Sequence, residues 1–182
     1  ATADDDFDFD FGYTGTITNG VAKRDPQFVD NGDAGNGIEC DNDGTGSTAT
    51  PYTHPKLFNM ILVGPNVSTA LANHNLGLRF RRATQFTMKN SVIWGWMKGG
   101  LSLESNETAQ FVKDGVSVFE NNSVGTFNPT LNFISKATTI LTNDQLKTLA
   151  LSKSNKEIDL VIPELDKPIW ISGWTRFPSK GN

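Results

Sequence analysis

The segment Phe7-Asp8-Phe9-Asp10-Phe11 alternates strictly between apolar and acidic residues. A strand there sets three phenylalanines on one face and two aspartates on the other. Ile38-Glu39-Cys40-Asp41, Leu78-Arg79-Phe80-Arg81 and Leu101-Ser102-Leu103-Glu104 repeat the alternation, and each follows a glycine-containing stretch (Asp33 to Gly37, Asn75 to Gly77, Gly99-Gly100). Glycine is expected where a chain turns sharply before joining a sheet. A companion series lies downstream: Asn19-Gly20-Val21-Ala22-Lys23, Asn59-Met60-Ile61-Leu62-Val63, Asn90-Ser91-Val92-Ile93-Trp94 and Asp114-Gly115-Val116-Ser117-Val118. These align without gaps, each with an Asn or Asp at a turn and a β-branched residue two positions on. Spacing between equivalents falls from about 40 to about 31 to about 24 residues, and only the last is near a bare rung of a repeat protein. The excess is assigned to loops at Asp43 to His54 and at Pro65 to Asn75, the second with a short helix over Ser68 to Ala72.

Two series of strands recurring in one order predict an all-β chain, a right-handed parallel β-helix or solenoid with loop insertions. Residues 1–125 supply the rungs. Residues 126–182 supply the terminal rung, one short helix and a C-terminal cap of the same domain. The helix begins after Asn143 and runs from Asp144 to Lys153, with Leu146, Leu149 and Ala150 on one face. The tail, Ile158 to Ile162 and Pro168 to Trp174, has the apolar mass to cover the last open rung. At the other end Phe7 begins a full core strand, so earlier rungs of a longer parent chain are expected against it.

Composition narrows the classes. The chain has 182 residues, enough for one sizeable core, with 37% hydrophobic and 20% charged residues and 17 glycines, the profile of a turn-rich globular domain. Its formal net charge of -4 argues against a nucleic-acid partner, whose phosphates need clustered Lys and Arg. Cys40 is the one cysteine, so no intrachain disulfide forms, and its setting is that of a small apolar core residue. No run reaches the length of a membrane span. Nucleophile-elbow, Walker and dinucleotide fingerprints are missing from the sequence.

Overlaying the four strands by their preceding turns puts Asp8, Glu39, Arg79 and Ser102 in one outward column and Asp10, Asp41, Arg81 and Glu104 in the next. Adjacent strands lie about 4.8 Å apart, so carboxylates meet in the first two rungs and arginines follow. One reading is a metal site for calcium at Asp8, Asp10, Glu39, Asp41 and Asp43, since hard oxygens suit that ion. Another is a solvated ladder of acids and bases. A third is ligand binding by Arg79, Arg81 and Glu104, with an acidic sugar as partner, or catalysis by a polysaccharide lyase or glycoside hydrolase. His54 and His74 read as polar loop residues. Trp94 and Trp96 share a parity and, aligned with Val63 and Val118, are expected to point into the core.

The segments Asp4 to Gly12, Asn36 to Asp43 and Asn90 to Trp96, together with Ala22-Lys23-Arg24-Asp25-Pro26, Thr50-Pro51, Leu62-Val63-Gly64-Pro65, Leu78 to Arg82 and Gly173-Trp174-Thr175, resemble the C-terminal half of a family of Bacteroidetes surface lipoproteins with a β-helix. The resemblance runs to about Asn122 and returns at the tail. It implies a longer parent with several N-terminal rungs and a lipid anchor or secretion signal, displayed at the outer membrane, cell surface or extracellularly. A polysaccharide or an outer-membrane protein is the expected partner. It brings no catalytic residues. The reading is therefore a non-catalytic binding or scaffold module that meets a glycan or protein through the loops at Asp43 to His54 and Pro65 to Asn75, with calcium as the candidate ion and an enzyme as the alternative.

Overall fold

A computed structural model describes residues 2–32 and 35–159. The tail expected to act as a cap lies outside these from Leu160 on, as do Asp33 and Ala34 of the first glycine-rich turn. Within them the chain is a right-handed parallel β-helix of three sheets. The first coil is β1 (Phe7–Phe9), β2 (Thr16–Thr18) and β3 (Val21–Lys23); the second is β4 (Ile38–Cys40), β5 (Lys56–Phe58) and β6 (Ile61–Val63). The third is β7 (Leu76–Phe80), β8 (Thr87–Lys89) and β9 (Val92–Trp94). The fourth holds β10 (Gly99–Leu103), α1 (Asn106–Lys113), β11 (Val118–Glu120) and β12 (Ser123–Gly125), and the fifth β13 (Phe133–Ser135), α2 (Asn143–Ser152) and β14 (Lys156–Glu157). Sheet A stacks β1-β4-β7-β10-β13, sheet B β2-β5-β8-β11, and sheet C β3-β6-β9-β12-β14.

Every described pairing is parallel and keeps register. Phe9 meets Cys40, Cys40 meets Phe80, and Phe80 meets Leu103, as the alternation predicts. These side chains share one core with the centre of each sheet B strand (Leu57, Met88, Phe119) and sheet C strand (Leu62, Ile93, Val124). Full burial drives up the pKa of the Cys40 thiol and leaves it inert. Flat coils need a close backbone approach at the corners. At Gly64 a Cβ would lie 2.6 Å from the Gly95 carbonyl, so no side chain fits.

Asparagine makes the turn from sheet B to sheet C. Asn19, Asn59, Asn90 and Asn121 all take left-handed φ between 54° and 63°, which Asn tolerates better than other side chains. The fourth member of the companion series is therefore Asn121 to Gly125, and the segment from Asp114 to Val118 belongs elsewhere: Gly115 follows the end of α1, and Val118 opens a sheet B strand. The last interval is thus about 31 residues, equal to the one before it. Beneath the turns runs a buried polar ladder. The Ser91 hydroxyl accepts from the Met60 N–H at 3.0 Å, the Asn122 Oδ1 accepts from the Ser91 N–H at 2.9 Å, and Asn155 Oδ1 accepts from the Asn122 N–H at 2.8 Å.

Several other expectations change. The first strand stops at Phe9; Phe11 sits in a turn with φ 47° and is 79% exposed. The stretch from Ser68 to Ala72 forms turns and no helix. Helix α1 was not expected; Ser105 caps it by accepting from the Thr108 N–H. The later helix begins one residue earlier than expected, with Thr142 and Gln145 forming a reciprocal capping box. It is this helix that covers the core among the described residues, packing on β13 with Leu146 and Ala150 buried. Trp94 and Trp96 do not face the same way, because Gly95 between them takes φ 72° and breaks the strand. Ile93 occupies the core column, which puts Trp94 on the outer side of sheet C, still covered, while Trp96 enters the core and donates to the Leu62 carbonyl at 3.3 Å.

The polar ladder yields a test. Replacing Asn122 with Ala strands the buried Ser91 N–H and the Met88 carbonyl it serves at 3.1 Å. Urea unfolding should show a loss of roughly 2–3 kcal/mol, against less than about 0.5 kcal/mol for the exposed Thr18→Ala.

Candidate functional site

The outer face of sheet A carries the charged groups. The observed register, Asp8 to Glu39 to Arg79 to Ser102, reproduces the first expected column and extends it to Ile134. Backbone bonds from Asp41 to Phe9, Arg81 to Cys40, Glu104 to Phe80 and Lys136 to Leu103 carry the second column through Asp10, Asp41, Arg81, Glu104 and Lys136. Neighbours one coil apart are thus brought within reach of each other.

They form a chain of ion pairs. Glu39 Oε2 meets Arg79 Nη1 at 3.1 Å and its Oε1 meets Arg81 Nη2. Asp41 Oδ1 accepts from Arg81 Nε at 2.7 Å and its Oδ2 from Arg82 Nη1 at 2.8 Å. Glu104 Oε2 takes Arg79 Nε at 3.2 Å, and its Oε1 takes Lys136 Nζ at 2.8 Å and the Ser102 hydroxyl at 3.1 Å. Each of these carboxylates has both oxygens occupied by donors, and their side chains are largely shielded from solvent.

Burial divides the carboxyls. Desolvation pushes Glu39 up to about 7 against the pull of Arg81 and Arg79. Burial also acts to raise Glu104, but Lys136 and Arg79 outweigh it and hold that carboxyl below its ordinary value. Partial desolvation, and then the charges of Asp10 and Asp41, raise Asp8 at the edge of the face. Asp10 accepts from the Phe11 N–H at 2.7 Å.

Asp43 does not join this group. It stands in the exposed loop after Asn42, where its carboxylate accepts from the Thr45 N–H and hydroxyl, both at 2.8 Å, and from the Ser47 N–H and hydroxyl. These bonds, Ser47's first, hold it well below the usual carboxylate range. Among the described residues no three His, Cys, Asp or Glu side chains are grouped to hold a metal ion, and no helix is long and apolar enough to cross a membrane. His54 is held by Gln85 at 3.1 Å and Thr87 at 2.9 Å, and His74 is fully buried with Nε2 3.2 Å from the Pro26 carbonyl.

Three participants escaped the strand overlay. Arg82 lies just past the strand, in a left-handed turn. Lys136 directly follows a fifth strand, β13, that an extended column would have found. Arg24 is a buried cation at the end of β3, 3.3 Å from Asp6 and donating to the carbonyls of Thr2 at 3.1 Å and Asn36 at 2.6 Å. It fastens the segment before β1 to the second coil.

The corner from sheet A to sheet B presents a different chemistry. The Phe11 N–H donates to the Asn42 carbonyl and the Asn42 N–H to the Arg82 carbonyl, both at 3.1 Å, so these three residues stack along the corner. Phe11 projects its ring into solvent, and Arg82, with its side chain 41% exposed, is the most accessible guanidinium of the ion-pair chain. The loop from Asp43 to His54 leaves from the same corner, and Gly46 packs against Arg82.

Removing Arg81 tests the ladder. With its folded value near 7 against an ordinary 4.5, Glu39 binds more protons folded than unfolded between those values, so its ionisation subtracts stability as pH rises through them. Arg81→Met takes away a compensating cation and should cost roughly 3 kcal/mol near pH 8. The loss should shrink near pH 5, where Glu39 keeps its proton. A loss independent of pH, in melts across this range, contradicts the assignment.

A family model described as a pectate-lyase-like β-helix domain matches residues 1–175. Neither a search of curated proteins nor one of solved structures returned a match.

Proposed function

The chain belongs to the pectate-lyase-like β-helix domain family, and we propose that it is a non-catalytic, cell-surface binding module that engages a glycan at the corner between sheets A and B. One observation carries this reading: Phe11, a bulky residue held in left-handed backbone, exposes its ring next to Asp10, on the corner that Asn42 and Arg82 continue in the next two coils. A phenylalanine pays both conformational strain and apolar exposure there, and such costs gather at sites of use. A flat aromatic face stacks on the apolar face of a pyranose, and flanking carboxylates and a guanidinium bond its hydroxyls. The sheet A face supports the same division of labour. Glu39, Asp41 and Glu104 are engaged with Arg and Lys partners, so the face serves as a rigid back to the corner. The likeness to surface lipoproteins accords with display at the outer membrane, where such a module would meet polysaccharide or a partner protein.

A polysaccharide lyase or glycoside hydrolase is the second reading, favoured by the Glu39 carboxyl raised to about 7 between two arginines, a value suited to proton transfer at neutral pH.

Binding to a panel of neutral and acidic polysaccharides, followed by affinity electrophoresis and calorimetry, separates the two. The first reading predicts retention by at least one polysaccharide, weakened at least about tenfold, or 1.4 kcal/mol, by Phe11→Ala, with no new reducing ends or unsaturated products. Unchanged binding by Phe11→Ala, or binding to none of the panel, contradicts it. Products that vanish with Glu39→Gln establish the second.

A further inference from the structure

Two buried polar residues of the second coil stand behind the corner between sheets A and B. Asn42 is 2% exposed and Thr53 not at all. The stretch between them, 43–52, contains no helix or strand, and such a loop is ordinarily free to change shape. Asn42 fastens it from beneath. Its Nδ2 donates to the carbonyls of Ser47 at 2.9 Å and Ala49 at 3.0 Å, and its Oδ1 accepts from the Thr53 N–H at 2.8 Å, so the middle and the end of the loop close on one amide. The same two residues hold the turn of the first coil. The Asn42 carbonyl accepts from the Phe11 N–H at 3.1 Å, and the Thr53 hydroxyl accepts from the Gly12 N–H at 2.9 Å while donating to the Asn42 carbonyl at 3.3 Å. Loop and turn also touch directly, since a Cβ on Gly12 would lie 2.9 Å from the Pro51 carbonyl oxygen. The Thr84 hydroxyl of the third coil, 3.2 Å from the Thr53 carbonyl, ties the network to the next rung.

Phe11 and Gly12 both take left-handed backbone, with φ 47° and 80°. A strained turn persists only where its surroundings over-determine it, and here its two N–H groups are bonded to the very residues that fix the loop. Asn42 and Thr53 thereby set the exposed ring of Phe11 relative to a loop whose exposed residues include Thr48 and Thr50, with hydroxyls suited to a sugar. Fixing both parts before a ligand arrives removes the ordering cost that a mobile loop adds to binding. We propose that Asn42 and Thr53 are positioning residues of the corner site, locking the Phe11-Gly12 turn and the loop 43–51 into one preformed surface that the glycan meets as a whole. Being buried, neither touches the ligand, so any effect on affinity passes through the placement of turn and loop. The proposal rests on the glycan reading above and adds to it a second wall and the residues that hold it.

The test uses the whole chain and two variants of one residue. Thr53→Val keeps the shape of the side chain and leaves the Gly12 N–H without its acceptor, whereas Thr53→Ser keeps the acceptor. Each is compared with the parent by amide exchange, and by affinity electrophoresis in the polysaccharide of the panel that retains the parent most strongly, below every melting transition. Thr53→Val should speed exchange at Gly12 at least about tenfold and weaken retention at least about fivefold, and Thr53→Ser should restore both. A purely structural role lowers the melting temperature and leaves the affinity of the folded chain as it was, so unchanged retention by Thr53→Val overturns the proposal, as does unchanged exchange at Gly12. Where Thr53→Val does not fold, Gly12→Ala takes its place, because the added methyl meets the Pro51 carbonyl and parts the turn from the loop; the same weakening is expected, and full retention overturns the proposal. Binding lost in Phe11→Ala but kept in Thr53→Val sinks this proposal alone. Retention of the parent by no polysaccharide sinks the glycan reading and this proposal with it.

Discussion

The fold depends on one constraint: parallel strands from successive coils stay in register at a spacing of about 4.8 Å. Residues 23 to 40 positions apart in the chain then become nearest neighbours, and each position's chemistry is multiplied into a column. Inward columns must be apolar, and those of sheet A from Phe7 through Phe133 are fully or nearly buried once past the first coil. Columns at the tight turn must tolerate left-handed backbone, and asparagine recurs there four times. Polar groups trapped beneath that turn must find partners, and Ser91, Asn122 and Asn155 supply them to one another. A one-coil insertion is harmless only at corners, which is where the long loops and α1 leave the stack.

Outward columns obey the same rule with opposite chemistry. Like charges stacked at strand spacing repel, so a column persists only when its signs alternate or its groups face solvent. Coils two to five meet the requirement by alternating acid, base, acid and base from Asp41 to Lys136. The first coil does not: Asp8 stacks on Glu39 and Asp10 on Asp41, acid on acid. The opposite end carries a capping helix. The exposed ring of Phe11 stands at the side of the stack.

Sheet A was legible because its strands combine strict alternation with a preceding glycine, and its outward columns were drawn with correct neighbours. Sheet B was missed because each of its strands offers a single apolar centre, Ile17, Leu57, Met88 or Phe119, too short for periodicity to register. The segment Asp114-Gly115-Val116 imitated the asparagine turn because Asp-Gly also signals a turn; here that turn ends a helix. Parity misplaced Trp94, since it assumes an unbroken strand and Gly95 ends one. Among the charged residues, those aligned with the four recognised strands are placed by sequence, whereas Arg82 sits in a turn that no alternation encodes and Lys136 follows a fifth strand to which the columns were not extended. Phe11 was counted as a strand residue for the same reason: the alternation continues one step further than the strand does.

The register itself can be read by cysteine cross-linking on the exposed side of sheet B, the sheet least visible in the sequence. Thr16 and Lys56 are opposed across adjacent coils, while Phe58 lies two positions further along. Strand spacing falls within the Cα range of about 4.4–6.8 Å that a disulfide spans, and buried Cys40 does not compete. Mild oxidation of Thr16→Cys with Lys56→Cys should give a complete intrachain cross-link, identified by mass spectrometry, in protein that melts as the parent does. A cross-link forming equally fast in Thr16→Cys with Phe58→Cys, or in neither pair, would contradict coils stacked in register.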